Sequence, residues 1–369
     1  MSHKTRSAVA VGGKRFVVRD LDIPATGRED GLLQVEACGV CGSDVKKYAP
    51  ASMPPTILGH ETVGVVTRVG SSAQQRWGVV EGTRVLLEEY LPCGHCRYCR
   101  GGEFRSCRTT DNTRAGALRY GSTPLDVPPS LWGGYSRHQY LHPNSVLHVV
   151  PDDVPASHAT FGIPLSNGIQ WAQLDGGVRP GDAVLIIGPG QQGAACTIAC
   201  EEAGAALVVV AGLARDARRL DIARQVGATD TVVSQERDPV EVIRDLTAGE
   251  MADVVIDVSG GGAVTLMTAL RAVRTGGTIV IASGGPKCGP GWDELDLALI
   301  RKKRVTLRGV RGHSFAAVER ALQVIGRGGT RLGLLAGAPL SLDRMADALD
   351  AVAGTVDAET LHVSVDPWL

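Results

Sequence analysis

A chain of 369 residues exceeds one average domain and falls short of three, so two domains, each able to bury a core, are expected. The 38 Lys and Arg against 39 Asp and Glu leave a formal net charge of -1, which excludes the basic stripe of a nucleic-acid binder or of a protein drawn to anionic membranes, and points to a small-molecule ligand. The segment MSHKTRSAVAVGGKRF has no apolar core of signal-peptide length, and runs such as ALVVVAGL from Ala206 fall far short of the ~20 residues of a membrane span, so a cytoplasmic protein is expected.

Up to about residue 150, short Val-rich runs (SAVAVGG, LLQVEACGV, TVGVVTRVG, TRVLLEEY, SVLHVVP) alternate with Gly and Pro punctuation, the period of a mainly β lobe with irregular loops. Within it stands the first chemical cluster: Cys41 in GVCGSD, then His60 and Glu61 in LGHE. Cys, His and carboxylate are a zinc set, and a shell short of four protein ligands leaves a place for water or substrate. Taken singly, each has a plainer reading, Cys41 as a small core residue and His60-Glu61 as an ordinary polar loop. Ser43 adds a hydroxyl placed to pass a proton, and Asp44 a carboxylate able to orient a ligand imidazole.

The loop 92–108, PCGHCRYCRGGEFRSCR, carries Cys93, Cys96, Cys99 and Cys107 of the chain's nine cysteines. This spacing lets four thiolates converge on one ion and close its shell, so a structural zinc is the first reading. An iron–sulfur cluster and a CxxC redox pair remain as alternatives. Residues 108–134 then form a long Pro/Gly-rich loop, of a length that usually has a function.

From about Val184 the rhythm changes to AVLIIG, QQGAACTIACEEAG, ALVVVAG, RDARRLDIARQVGA, DTVVS and on through TIVIASGG. Wholly apolar strands alternating with helices predict a doubly wound parallel sheet of the α/β Rossmann kind. GPGQQG supplies Gly188, Gly190 and Gly193 between strand and helix, with Gln191 and Gln192 opening the helix. The first two glycines make the turn and admit a pyrophosphate, and the third lets the helix pack closely. The second strand ends in Ala211-Gly212, without the acidic residue that binds an NAD ribose, and Arg215, Arg218 and Arg219 follow. That leans towards NADP over NAD, although the arginines also read as a solvated helix face and Asp216 could reach a ribose hydroxyl. From about Thr306 the tail reads as TLRGVRG, a long helix and a final TLHVSVDPWL.

The segments ACGVCGSDVK, LGHETVGVVTRVG, PCGHCRYCRGG, GPGQQG, RLDIARQVGA and VVIDVSG, in this order over essentially the whole chain, resemble the zinc-dependent alcohol and polyol dehydrogenases of the medium-chain dehydrogenase/reductase family. The resemblance implies a GroES-like catalytic domain at 1–155 and 306–369 and a Rossmann domain at 156–305. It implies hydride transfer between an alcohol or polyol and NAD(P), reversible with the aldehyde or ketone, in a homodimer or homotetramer. Cys41 and His60 become catalytic zinc ligands, Glu61 a third ligand or exchangeable neighbour, and Ser43 the first proton-relay group. Two positions depart from the family. Ile163 in FGIPLSNG stands where a further Cys, Asp or Glu is usual, and Lys46 where many relatives have the histidine that ends the relay. Trp132, Asn167 and Trp171 are candidates for the substrate pocket. Two rival readings stay open: a zinc-independent reductase of a carbonyl or activated alkene, and a non-catalytic dinucleotide-binding protein.

Overall fold

The computed structural model describes residues 4–111, 113–282, 295–327, 332–355 and 361–369. It divides into two compact units, Met1–Ile163 with Leu322–Leu369, and Pro164–Ala321.

The first unit is built on strands whose alternating or wholly apolar patterns bury at least one face. One sheet runs in the order Ser364–Val365, Gly31–Gly39, Glu61–Val69, Arg84–Leu87, Leu147–Val149, with His138–Leu141 also paired to Gly31–Gly39. These pairings are antiparallel. A three-stranded sheet orders Arg15–Asp22, Lys4–Gly12 and Thr56–Ile57. Leu32, Leu33, Val66, Val85, Leu87 and Leu141 are buried in the shared core, which the aromatic rings of Tyr120, Trp132 and Tyr135 extend beneath the 108–134 loop. Trp132 belongs to that core. It is 1% exposed, its Nε1 donates to Val127 O, and it packs edge-on to Tyr140 at 5.5 Å, so it does not line an open pocket.

The second unit is a six-stranded sheet ordered Asp230–Val233, Leu207–Gly212, Ala183–Ile187, Ala252–Asp257, Val273–Ile281, Thr306–Gly309. Every pairing is parallel, in the strand order of a Rossmann fold, and its reversal between Ala183–Ile187 and Ala252–Asp257 is where such sheets bind dinucleotides. The strands read as near-continuous apolar runs because helices cover the sheet: Val184, Leu185, Ile186, Val208, Val209 and Val210 are all essentially inaccessible.

The boundary at 305/306 expected from the sequence does not follow the chain's contacts. Thr306–Gly309 pairs in parallel with Val273–Ile281 and completes the nucleotide sheet, and the chain leaves that unit only at Ala321/Leu322, within the helix Phe315–Gly326. TLRG is short and polar, with all four residues exposed, so its pattern carries no mark of the sheet it joins. Trp171 also packs inside this unit, its Nε1 donating to Gly312 O, while Asn167 Oδ1 meets His313 Nδ1 at 2.9 Å.

Candidate functional site

The metal cluster forms where two strands end. Gly31–Gly39 leads into Cys41, and Glu61–Val69 begins at Glu61, directly after His60. Because Gly39 pairs with Glu61 in the antiparallel register, the ladder itself brings the two segments together. Cys41 caps the helix Gly42–Tyr48: its Sγ accepts from Ser43 N, and the Asp44 carboxylate accepts from Cys41 N at 3.2 Å. One ligand atom from each of Cys41, His60 and Glu61 lies within 4.8 Å of the others.

Around this trio the surroundings are charged and dry. Asp44, with no exposed surface, places Oδ1 3.4 Å from His60 Nδ1 and accepts at Oδ2 from the Tyr135 hydroxyl at 2.9 Å. Burial opposes its ionisation, yet His60, Lys47 and Tyr135 together hold its carboxyl below the usual range. Burial likewise opposes a charge on His60, and Asp44 outweighs it, holding the imidazole well above its ordinary value. Glu61 is pushed up to about 8 by burial, with Asp44 and Glu89 adding to the push and His60 opposing it. Glu61 Oε2, Asp44 Oδ1 and His60 Nδ1 are buried with no hydrogen-bond partner of normal geometry among the described residues. A buried carboxylate oxygen without a donor, beside a thiol and an imidazole, is the environment a cation repairs, so the residues present fit a zinc ion with three protein ligands and one open position. Ile163 is buried and takes no part in the cluster.

A residue pair that the sequence did not point to closes one side. Gly121, at φ 66°, lies against Gly59 and His60, where a Cβ would come within 2.8 Å of Gly59 O and 3.2 Å of His60 Cβ. Two cations hold its loop. Lys47 Nζ donates to Gly121 O and Ser122 Oγ, and Arg119 makes a forked pair with Glu89, at 2.9 Å from Nε and 2.5 Å from a terminal nitrogen, while lying over the Tyr90 ring. Against its burial, Arg119 and then His60 hold Glu89 far below the carboxylate range. Lys46, the sequence candidate for the end of the relay, is exposed, and its neighbour Lys47 is the one that reaches the site loop. Ser43 is partly exposed beside Cys41.

In the cysteine loop, the sulfurs of Cys93, Cys96, Cys99 and Cys107 lie within 4.8 Å of one another, those of Cys96 and Cys99 at 3.5 Å. All four are free thiols, and Cys107 Sγ accepts from Cys93 N at 3.3 Å. Four mutually facing sulfurs with no disulfide fit one tetrahedral ion.

The second unit carries a cavity of about 910 Å³ at the carboxyl ends of its strands. Gly188, Gly190, Gly212, Arg215 and Arg219 line it. Gln191, Gln192 and Gly193 do not, and form the start of the helix Gln191–Glu202. The three glycines have separate reasons. Gly188 has φ 113° and turns against the Ser259 backbone; a Cβ at Gly190 would meet nothing within 4 Å, so its face is open to a ligand; a Cβ at Gly193 would collide with Gly188 O. No side chain caps the helix, whose N-terminal dipole end favours a phosphate. These features fit a dinucleotide. Asp216 lines the same cavity, accepting from Leu213 N at 3.0 Å and pairing with Arg219 at 3.5 Å.

The comparisons with known proteins agree with this geometry. The chain matches the alcohol dehydrogenase GroES-like domain over residues 27–152 and the zinc-binding dehydrogenase domain over 193–327. It is 38% identical, over 95% of both chains, to a protein of Mycobacterium tuberculosis named a probable alcohol dehydrogenase. It is 30% identical to the erythritol/L-threitol dehydrogenase of Mycolicibacterium smegmatis over 70% of each chain. A Sinorhizobium meliloti protein assigned as a zinc-binding dehydrogenase, solved bound to NADP, superposes with a TM-score of 0.84 at 26% identity, over 99% of this chain and 100% of that one. Fold and site together define a zinc-type, NAD(P)-dependent oxidoreductase of alcohols and polyols. The chain belongs to the zinc-dependent medium-chain dehydrogenase/reductase family. Membership favours the dehydrogenase over the zinc-independent and non-catalytic readings.

Two predictions follow from these contacts. Gly193→Ala destabilises the protein by about 1–3 kcal/mol in chemical denaturation, because its methyl meets backbone, whereas Gly190→Ala leaves stability unchanged and weakens cofactor binding, read by fluorescence titration. Arg119→Ala strands a buried Glu89 and costs about 3–5 kcal/mol, most of which the double variant with Glu89→Ala recovers; equal losses in single and double variants would refute the pairing. Since the folded-state Glu89 is depressed, this contribution is present above its unfolded value of about 4.3 and is lost as pH falls below it.

Proposed function

We propose that the chain oxidises a primary or secondary alcohol, polyols included, using NAD(P), and reduces the matching aldehyde or ketone in reverse. The observation that carries this reading is the convergence of Cys41, His60 and Glu61 with a buried carboxylate oxygen lacking any donor. Those three residues hold the reactive zinc, and Cys93, Cys96, Cys99 and Cys107 hold a second ion with a purely structural task. When bound, zinc supplies Lewis-acid polarisation of the substrate oxygen, and the nicotinamide supplies the hydride acceptor or donor.

The chain's own residues do the rest. Asp44 fixes the ring of His60, with Tyr135 holding Asp44 in turn. Ser43, beside Cys41 and partly exposed, takes the alcohol proton outward. Lys46 is exposed and within one helical turn of Ser43, which suits it to passing that proton to solvent. Gly188 and Gly190 would admit the pyrophosphate to the backbone, and Arg215 and Arg219 line the same cavity and would pair with a 2′-phosphate, which supports NADP. The exposed edge strand Thr306–Gly309, bonded on one side only among the described strands, supports a homo-oligomer. No helix among the described residues is long and apolar enough to cross a membrane; a cytoplasmic site is proposed from the clustered free thiols.

Elemental analysis and native mass spectrometry of freshly purified protein are expected to give about two zinc ions per chain in a dimer or tetramer. Chelation of the more labile ion abolishes alcohol oxidation and zinc restores it; about one zinc per chain with full activity after chelation would sink the zinc reading. Replacing Arg215 and Arg219 together by Ala lowers the ratio of kcat/KM for NADP over NAD by about tenfold or more, and an unchanged ratio removes the NADP preference.

A further inference from the structure

The cavity of the second unit contains a carboxylate, Asp216, whose two oxygens already have partners. The strand before it, Leu207–Gly212, ends on a residue closely packed on both sides: a Cβ at Gly212 would come within 2.8 Å of Pro189 Cγ and 3.1 Å of Leu220 Cδ2. Side chains that could meet a ribose on this side therefore come from the turn that follows, residues 213–216, and from the helix after it.

That turn is tied at two successive amides. Leu213 N donates to Asp216 Oδ2 at 3.0 Å, and Asp216 N donates back to Leu213 O at 2.8 Å. Ala214 N donates to Gln235 Oε1 at 2.8 Å. The sheet delivers Gln235 to this place. Leu207–Gly212 pairs in parallel with Asp230–Val233, and Ser234 N, just beyond that strand, donates to Gly212 O at 2.9 Å. The second oxygen of Asp216, Oδ1, lies 3.5 Å from a terminal nitrogen of Arg219. Arg215, Asp216, Arg219 and Gln235 all line the cavity, whereas Arg218 does not.

A carboxylate free in such a cavity would bind a ribose diol and repel a 2′-phosphate. Asp216 has given one oxygen to a backbone amide and faces a guanidinium with the other, so its charge is offset within the turn. The two amide bonds hold the backbone that carries Arg215, and the ion pair holds Arg219. Cations held in place before a ligand arrives lose less freedom on binding it.

We propose that Asp216 and Gln235 are positioning residues for recognition of the NADP 2′-phosphate: by tying Leu213 N and Ala214 N they fix the turn that presents Arg215 and Arg219, and Asp216 serves the arginines and not the ribose. This role rests on the NADP reading of Arg215 and Arg219.

The test measures dissociation constants of the full chain for NADPH and NADH by nicotinamide fluorescence, which needs no substrate. Asp216→Ala and Gln235→Met are each expected to weaken NADPH by about three- to tenfold and to leave NADH within about twofold. Asp216→Asn keeps an acceptor for Leu213 N and recovers most of the NADPH affinity lost in Asp216→Ala. In the Arg215→Ala/Arg219→Ala background, Gln235→Met weakens NADPH no further; an additional loss there shows direct contact with the cofactor and overturns the positioning role. Tighter NADPH and weaker NADH in Asp216→Ala mark a ribose ligand and overturn the proposal, as does a loss shared equally by both cofactors. If the arginine pair changes the NADPH to NADH ratio while Asp216→Ala and Gln235→Met leave it as in wild type, the positioning role alone falls. An unchanged ratio in the arginine pair removes the NADP reading and the positioning role with it.

Discussion

Three carboxylates crowd around one histidine in the first unit, and the need to compensate them shapes what surrounds it. Asp44 and Glu61 are fully buried, and Glu89 keeps 13% of its side-chain surface. An unpaired buried charge costs several kcal/mol, so each needs its own answer. Asp44 has Tyr135, the Cys41 amide and His60. Glu89 has the fork of Arg119. Glu61 keeps one oxygen with no donor among the described residues, and burial pushes its carboxyl up to about 8, so a cation or a proton answers it.

These answers also place the loop. Arg119 and Lys47 are needed electrostatically, and by reaching their partners they pin residues 119–122 against Gly59 and His60. The 108–134 loop thus serves the site through its middle. A chain segment that must cross from the cysteine loop back to the strand His138–Leu141 supplies one wall of the metal centre on the way, while Trp132 anchors it in the core.

What the sequence showed and what it hid divide along chain distance. Cys41, His60 and Glu61 each have a plainer reading alone and were grouped through the family resemblance, whereas the four cysteines were legible because they fall within one loop. The glycines of GPGQQG were legible for the same reason: Gly188 and Gly193 are sterically required where they stand, while Gly190 faces open space. Tyr135 meets Asp44 from 91 residues away and His362 meets Thr160 from 202, and no periodicity marks either tyrosine or histidine as other than core. The reach of Lys47 to Gly121 and Ser122 was not legible, because position in a motif says nothing of which way a helix faces. TLRG was given to the wrong unit because an exposed edge strand does not need an apolar pattern, and only its pairing with Val273–Ile281 shows where it belongs.

The isoleucine at 163 is best understood as a matter of charge. On the proposed ligand set, Cys41 as thiolate and Glu61 as carboxylate would bring two negative charges, enough to balance a divalent ion with neutral His60. A carboxylate ligand at 163 would add a third and reduce the ion's pull on a substrate oxygen, besides being one more buried charge. An apolar residue there keeps the balance at neutrality and makes Glu61 the sole carboxylate on which the shell depends. The space at Gly39 then matters more than it would in a site with a ligand to spare, because a Cβ there would overlap Glu61 Oε2, and a shell of three protein ligands that loses one has only two left to hold its ion.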